Sequence, residues 1–315
     1  MRIIMLGTGP FAVPSLRALH DSPHEVLLAV SRPPKGRKPL PAPLQMAAEE
    51  LGITRWLPET VNSDEARSKL TELQADLLVV CDYGEILKSE TLAVTRLGGI
   101  NLHGSLLPKY RGAAPVQWAV LNGDAETGNT VIQMTPGLDA GPCVGVDRVP
   151  IDPDETAGEL EARLSQLGAQ LVLRVVDQLA TGTIQPIEQD KSQATKAPRL
   201  EKEHGVVDWT RSAQEIKNQV RALNPWPRAF TNWKRQGSEP LRLILDRVQI
   251  VEETYPTNDP GTVVAADQKL AVQEFVVATG NGFLSLEQIQ PAGKRVMSAG
   301  EFLRGNSVKV GDELS

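Results

Sequence analysis

The run Asp76–Cys81 (DLLVVC) constrains the fold more than any other stretch of the chain. Once past Asp76 it offers no polar face, so a strand here has to be covered on both sides, as in a parallel sheet clad by helices. Further strand-like runs at Arg2–Leu6, Glu25–Val30, Ile100–His103 and Thr130–Met134 alternate with helical patterns. Those helices fall at Val13–His20, Pro43–Leu51, Val116–Leu121 and Ala157–Leu179. The alternation predicts an α/β fold, a doubly wound, Rossmann-like parallel sheet with ligands at the carboxyl ends of its strands.

The second half reads differently. Residues 184–203 have no clear period and are rich in Lys, Gln and Pro, with one Thr, which suits an extended surface linker. A helix at Ala213–Leu223 stops before Asn224-Pro225-Trp226-Pro227. Strand-like runs follow at Leu241–Val251, Gly261–Ala265, Ala271–Val277 and Phe283–Gln290, a spacing that predicts a small, OB-like β-barrel. The expected organisation is therefore a domain over 1–183, a linker over 184–203 and a barrel over 204–315. A length of 315 residues is enough for two cores.

Several function classes drop out at this point. No apolar run approaches the ~18–20 residues of a membrane span. The opening MRIIML is too short for a signal-peptide core and leads into Gly7-Thr8-Gly9-Pro10, a turn. Only Cys81 and Cys143 are present, so a disulfide framework is not expected and a reducing cytoplasm is. Neither cysteine has a C-x-x-C partner and there is no H-E-x-x-H, so no metal is expected. A net charge of −6 argues against broad nucleic-acid binding but leaves room for a local basic patch.

Four segments carry candidate chemistry. Gly7-Thr8-Gly9-Pro10-Phe11-Ala12 fits G-x-G-x-x-A between a strand and a helix, the dinucleotide pattern. The acid that pattern wants at the end of the second strand is missing. Arg32 stands near that place, which would suit a 2′-phosphate, yet Pro10 removes an amide donor. A tight turn is the simpler reading. In Ile100–Pro115 (INLHGSLLPKYRGAAP), Asn101 and His103 are two apart on a strand and share a face. An amide donor beside an imidazole can hold a carbonyl and stabilise the oxyanion it becomes. Asp139, in Gly137-Leu138-Asp139-Ala140-Gly141-Pro142, would set the tautomer of His103 if the fold brought the two together. An Asn-His-Asp set lacks a strong nucleophile and suits transfer to an external amine. The fourth segment, Arg32–Pro39, places Arg32, Lys35, Arg37 and Lys38 in one loop and could steer a polyanion.

Asn101, His103, Ser105-Leu106-Leu107-Pro108, Tyr110-Arg111-Gly112 and Pro115 together resemble the signature of the folate-dependent formyltransferases. The loop around Asp139 is similar to that family's second active-site loop. Ala197-Pro198-Arg199-Leu200, Val207-Asp208-Trp209, Arg221–Pro227 and Gln290–Met297 resemble the branch that formylates methionyl-tRNA. The chain departs from that branch at Gly9-Pro10, where relatives usually read Pro-Asp. The resemblance implies 10-formyltetrahydrofolate as donor and methionyl initiator tRNA as acceptor. It implies Asn101, His103 and Asp139 as catalytic residues, with Tyr83, Gly84, Ser105, Leu106, Leu107 and Pro108 lining the folate pocket. Arg32, Lys35, Arg37, Lys38 and Lys294 would touch tRNA, making the barrel a tRNA-binding domain of a cytoplasmic monomer. An acceptor amine on a nucleotide sugar is the alternative the same three residues would serve.

Overall fold

The computed structural model describes residues 1–34, 36, 40–235, 237, 239–256, 259–267 and 274–315. The chain forms two compact units. One comprises Met1–Val116, Ala125–Ile151 and Glu159–Arg199, the other Gln117–Asp124, Asp152–Gly158 and Leu200–Ser315.

The first unit is built on a sheet whose early strands are β1 (Arg2–Gly7), β2 (Glu25–Val30), β3 (Arg55–Trp56), β4 (Leu77–Cys81) and β5 (Gly99–His103). A short pair member, β6 (Arg111–Gly112), precedes β7 (Glu126–Gln133) and β8 (Cys143–Pro150), and a partner for β6 follows late, at β9 (Lys196–Ala197). The sheet order is β3-β2-β1-β4-β5-β7-β8. Helices α1 (Val13–His20), α2 (Pro43–Glu50), α3 (Asp64–Glu72) and α4 (Ser89–Leu92) connect the early strands. They are followed by α5 (Pro115–Leu121), most of which belongs to the second unit, and the long α6 (Ala157–Thr181). Leu77–Cys81 is buried throughout, as its lack of a polar face requires.

Strands β3, β2, β1, β4 and β5 are parallel, but β7 runs antiparallel to β5 and β8 antiparallel to β7. The sheet is thus mixed at one edge rather than parallel throughout. Periodicity reports which faces are covered and is blind to direction. Strand β8 alternates covered and exposed positions and carries Asp147 and Arg148, as an edge strand does. Successive strands leave β1 for opposite sides, to β2 and to β4, so the switch point lies between β1 and β4, where open sheets of this kind bind ligands.

Residues 184–203, expected as a solvated linker, are mostly exposed but bury Gln189, Ala197 and Leu200. Ile187 bridges Cys143, and β9 pairs with β6. Composition gave no hint of this docking, because three buried side chains spread over twelve residues make no period.

In the second unit, α7 (Ala213–Ala222) comes just before the sheet. An antiparallel sheet follows from β10 (Ala229–Trp233), β11 (Leu241–Val251), β12 (Val263–Asp267), β13 (Glu274–Ala278), β14 (Phe283–Pro291) and β15 (Met297–Ser298), with α8 (Ala299–Gly305) after it. Part of the expected strand Ala271–Val277 lies outside the described residues. The order is β10-β11-β14-β13-β12, with β15 beside β14. Bridges from Leu314 to Trp233 and from Glu313 to Thr262 join the two edges and close the sheet. Phe275 and Phe302 stack inside it at 6.1 Å. Among the described residues, no helix is long and apolar enough to cross a membrane.

Candidate active site

Asn101 and His103 project from β5 near its carboxyl end, and strand geometry puts them on one face. Asn101 is half-buried, and its side-chain amide has no hydrogen-bond partner among the described residues. A half-buried amide with no protein partner is free to bond to a ligand or to water. His103 is buried, and its Nε2 lies 2.8 Å from the Tyr110 carbonyl oxygen. A peptide carbonyl only accepts, so Nε2 carries a hydrogen. Nδ1 is left facing the Asp139 carboxylate at 3.7 Å.

The fold thus brings together two residues that are 36 positions apart in the chain. Asp139 sits in a left-handed conformation (φ 47°) and accepts a 2.9 Å hydrogen bond from the Gly112 amide. Its loop lies close against β7: a Cβ at Gly141 would fall 1.8 Å from the Gln133 carbonyl oxygen, so only glycine fits there. The arrangement sets an imidazole nitrogen 3.7 Å from a carboxylate, beside a free amide donor. That combination can bind a carbonyl and stabilise negative charge on its oxygen.

The loop after His103 is fixed from β7. Thr130 Oγ1 donates to the Ser105 carbonyl (2.7 Å) and accepts from the Leu107 amide (3.1 Å). The Ser105 hydroxyl is buried and donates to the Lys109 carbonyl at 2.7 Å. Leu106, Leu107 and the cis-linked Pro108 are partly accessible. Sequence reasoning missed Thr130. Its signal is positional, since it pairs in register with His103, and register is invisible before the sheet is known.

The end of β4 supplies a third wall. The Tyr83 ring is packed in the core among Leu6, Val30 and Leu87, and the residue as a whole is buried, so it backs this wall rather than lining it; burial pushes its hydroxyl pKa up. Gly84 (φ 79°) has open space where a side chain would be. Ile86, beyond it, and Leu138, beside Asp139, are both exposed apolar residues.

Two amide donors of the Gly7–Ala12 turn are taken within the protein, which favours the reading as a tight turn. Gly9 donates its amide to the Asp82 carboxylate, and the Thr8 amide donates to the Asp82 carbonyl at 2.9 Å. Asp82 meets solvent on its outer side while its carboxyl is crowded onto this turn. The crowding raises its pKa to about 6, and the Gly9 amide pulls the other way.

Of the expected tRNA contacts, Arg32 is partly buried and paired with Glu85 at 3.6 Å. Lys35, Arg37 and Lys38 lie outside the described residues. Lys294, in the second unit, is exposed and has no ion-pair partner among the described residues. The described residues contain no group of three or more His, Cys, Asp or Glu side chains able to hold a metal.

Residues 1–176 match the formyl transferase family model, and residues 199–307 match the model for the formyl transferase C-terminal domain. A methionyl-tRNA formyltransferase of Rhodopirellula baltica is 42% identical over 100% of this chain and 96% of its own length. One from Symbiobacterium thermophilum is 41% identical over 100% of this chain and 95% of its own. Among solved structures, an N-formyltransferase from Helicobacter canadensis in complex with folinic acid and dTDP-3-aminofucose superposes with a TM-score of 0.68. It is 17% identical and covers 90% of this chain and 98% of its own, a likeness of fold.

Proposed function

Because the chain belongs to the formyl transferase family, we propose that it transfers a formyl group to the α-amino group of methionyl initiator tRNA. The donor is 10-formyltetrahydrofolate, and the product is N-formylmethionyl-tRNA for translation initiation. The observation that carries the chemistry is the unpartnered Asn101 amide beside a His103 that faces Asp139 at 3.7 Å. The acceptor follows from relatives about 40% identical over the full length, while the sugar formyltransferases share the fold at under 20% identity.

The residues present fit the donor. Asn101 offers a vacant amide, Gly84, backed by the buried Tyr83, has open space before it, and Ile86 and Leu138 offer apolar surface to a flat ring. Leu106, Leu107 and Pro108 would complete that pocket, with Ser105, buried beneath them, fixing their loop. The donor supplies an activated formyl carbon. Asn101 then donates to the formyl oxygen, and His103, holding one hydrogen on Nε2 at the Tyr110 carbonyl and a second on Nδ1, stabilises the charge that develops. One well-placed donor of this kind is worth roughly 3–4 kcal/mol of barrier. Asp139 stabilises the second proton on His103 and takes the one leaving the attacking amine, which passes to the donor's nitrogen as the bond between that nitrogen and the formyl carbon breaks. An amine next to an ester carbonyl is largely neutral near pH 7, so little else is needed.

Residues 1–183 serve as the catalytic domain, 184–203 as the linker and 204–315 as the tRNA-binding barrel. Arg32, Lys35, Arg37, Lys38 and Lys294 hold phosphates, which position the acceptor without reading its sequence. The chain acts as a cytoplasmic monomer: two unpaired cysteines suit a reducing compartment, and a charge of −6 keeps copies apart.

The test is transfer from 10-formyltetrahydrofolate to charged initiator tRNA, with charged elongator methionine tRNA alongside. Formylation of the initiator is expected, with Asn101→Ala, His103→Ala and Asp139→Ala each at least a hundredfold slower and normally folded. Transfer only to a sugar amine, or near-normal turnover in these variants, would overturn the reading.

A further inference from the structure

The side chain most thoroughly built into the site is not one of its three reactive groups. Gln189 lies in the segment that runs past the first unit's sheet, and it is buried, with 9% of its surface exposed. Its Nε2 donates to the carbonyl oxygens of Asp139 (2.8 Å) and Gly141 (2.7 Å). Its Oε1 accepts from Arg111 through Nη2 (2.7 Å) and Nε (3.2 Å). Both amide hydrogens are used and the acceptor is used twice, so its orientation is fixed. One end of the side chain grips the loop that carries Asp139. The other end holds Arg111, which follows the residue whose carbonyl orients His103.

The same segment grips the His103 side through its backbone. Thr195 accepts from the Tyr110 amide with its hydroxyl (2.9 Å) and from the Arg111 amide with its carbonyl (2.9 Å). Lys196 and Ala197 then pair with Arg111 and Gly112. Gly112 is the residue whose amide binds the Asp139 carboxylate. The loop bearing Asp139 has to hold a left-handed residue, which costs energy unless its surroundings dictate it. Two carbonyls pinned by one buried amide supply that constraint.

We infer that Gln189 is a positioning residue for the reaction: it latches the Asp139 loop to the 110–112 loop and so sets the separation of Asp139 from His103. The inference rests on the reading of Asp139 as the proton partner of His103. It predicts that loss of the amide slows the chemical step while leaving substrate binding nearly intact.

Gln189→Met keeps the volume and removes every hydrogen bond; Gln189→Glu keeps an acceptor for Arg111 and removes both donors to the loop. Each is assayed as full-length protein with 10-formyltetrahydrofolate and methionyl initiator tRNA. Expected is a fall in kcat of about a hundredfold, both KM values within threefold, and a displaced pH profile of kcat/KM. A Gln189→Met protein with kcat within threefold and an unchanged profile would overturn the inference. So would a loss that merely tracks the folded fraction at an unchanged profile. If Gln189→Met does not accumulate folded, Gln189→Glu decides on the same criteria. Asp139→Asn separates the two readings: its near-normal turnover would sink the role of Asp139. A crippled Asp139→Asn beside a normal Gln189 variant would sink only the latch.

Discussion

At Gly9 an added Cβ would lie 1.8 Å from the Asp82 carboxylate oxygen, so these two positions, 73 residues apart, depend on each other. Gly9→Ala is expected to cost about 1–3 kcal/mol through overpacking. Most of that should return in a Gly9→Ala, Asp82→Gly double variant, since glycine also suits the left-handed backbone at 82 (φ 48°). Additive losses in urea denaturation would disprove the coupling. Asp82 also makes stability depend on pH. Its carboxyl titrates at about 6 when folded, against an ordinary 3.8. Between those values the folded chain binds more protons, so stability falls as pH rises through them and the full cost is present above about 6. Asp82→Asn keeps an acceptor for Gly9 and should add about 1 kcal/mol at pH 7, reduced from the nominal shift by solvent contact. At pH 4 it should add nearly nothing. Equal gains at both pH values would remove charge as the cause. At this scale the sequence was legible where the motif was dense, as at Asn101 and His103. It was silent at Gln189 and Thr130, whose roles exist only through partners far away in the chain.

Among the elements, the packing of α6 on β5 supports the site from behind. Leu102 alternates with Asn101 and His103, so it points to the opposite face. Its Cδ2 would stand 2.7 Å from a Cβ at Gly168 of α6. Asn129 Nδ2 donates to the Leu164 carbonyl on the same helix at 2.8 Å. Gly168→Val is expected to cost about 1–3 kcal/mol and to lower kcat, because β5 must move to admit the side chain. Undiminished stability and turnover would show that the helix can shift without disturbing the strand. Element existence was readable: Glu25–Val30 and Val13–His20 fall where their periods place them. The direction of β7 was not, since an apolar face looks the same from either end. Strand β8, with its glycine and charges, had no pattern to recognise.

Over the whole molecule, the longest-range dependence is the closure of the second unit's sheet by its last residues. The Leu314 amide donates to the Gly261 carbonyl at 2.8 Å, and the Asn232 amide donates to the Ser315 carbonyl at 2.8 Å. Removing 311–315 strips a partner from both edge strands at once. Hydrogen exchange should then show lost protection along β10 and β12, with β1 and β4 of the first unit protected as before. Unchanged protection in β10 would mean that the edge is held from elsewhere. The sequence suggested a barrel from the spacing of its strands. Nothing in the residues 311–315 identified them as the closing piece, because they are too few to carry a period.

What the sequence determined by itself was composition along the chain: which runs had to be covered, where helices stop, and the local set Asn101-x-His103, whose geometry follows from strand alternation alone. Those are properties of near neighbours, fixed by bond geometry and by the cost of leaving apolar groups in water. The tertiary structure alone decided that Asp139 meets His103 and that Gln189 holds them in place. It also decided that Asp82 fills the Gly9 turn. Each of these is a contact between distant segments, and such contacts are set by chain topology and strand order, which no local pattern encodes.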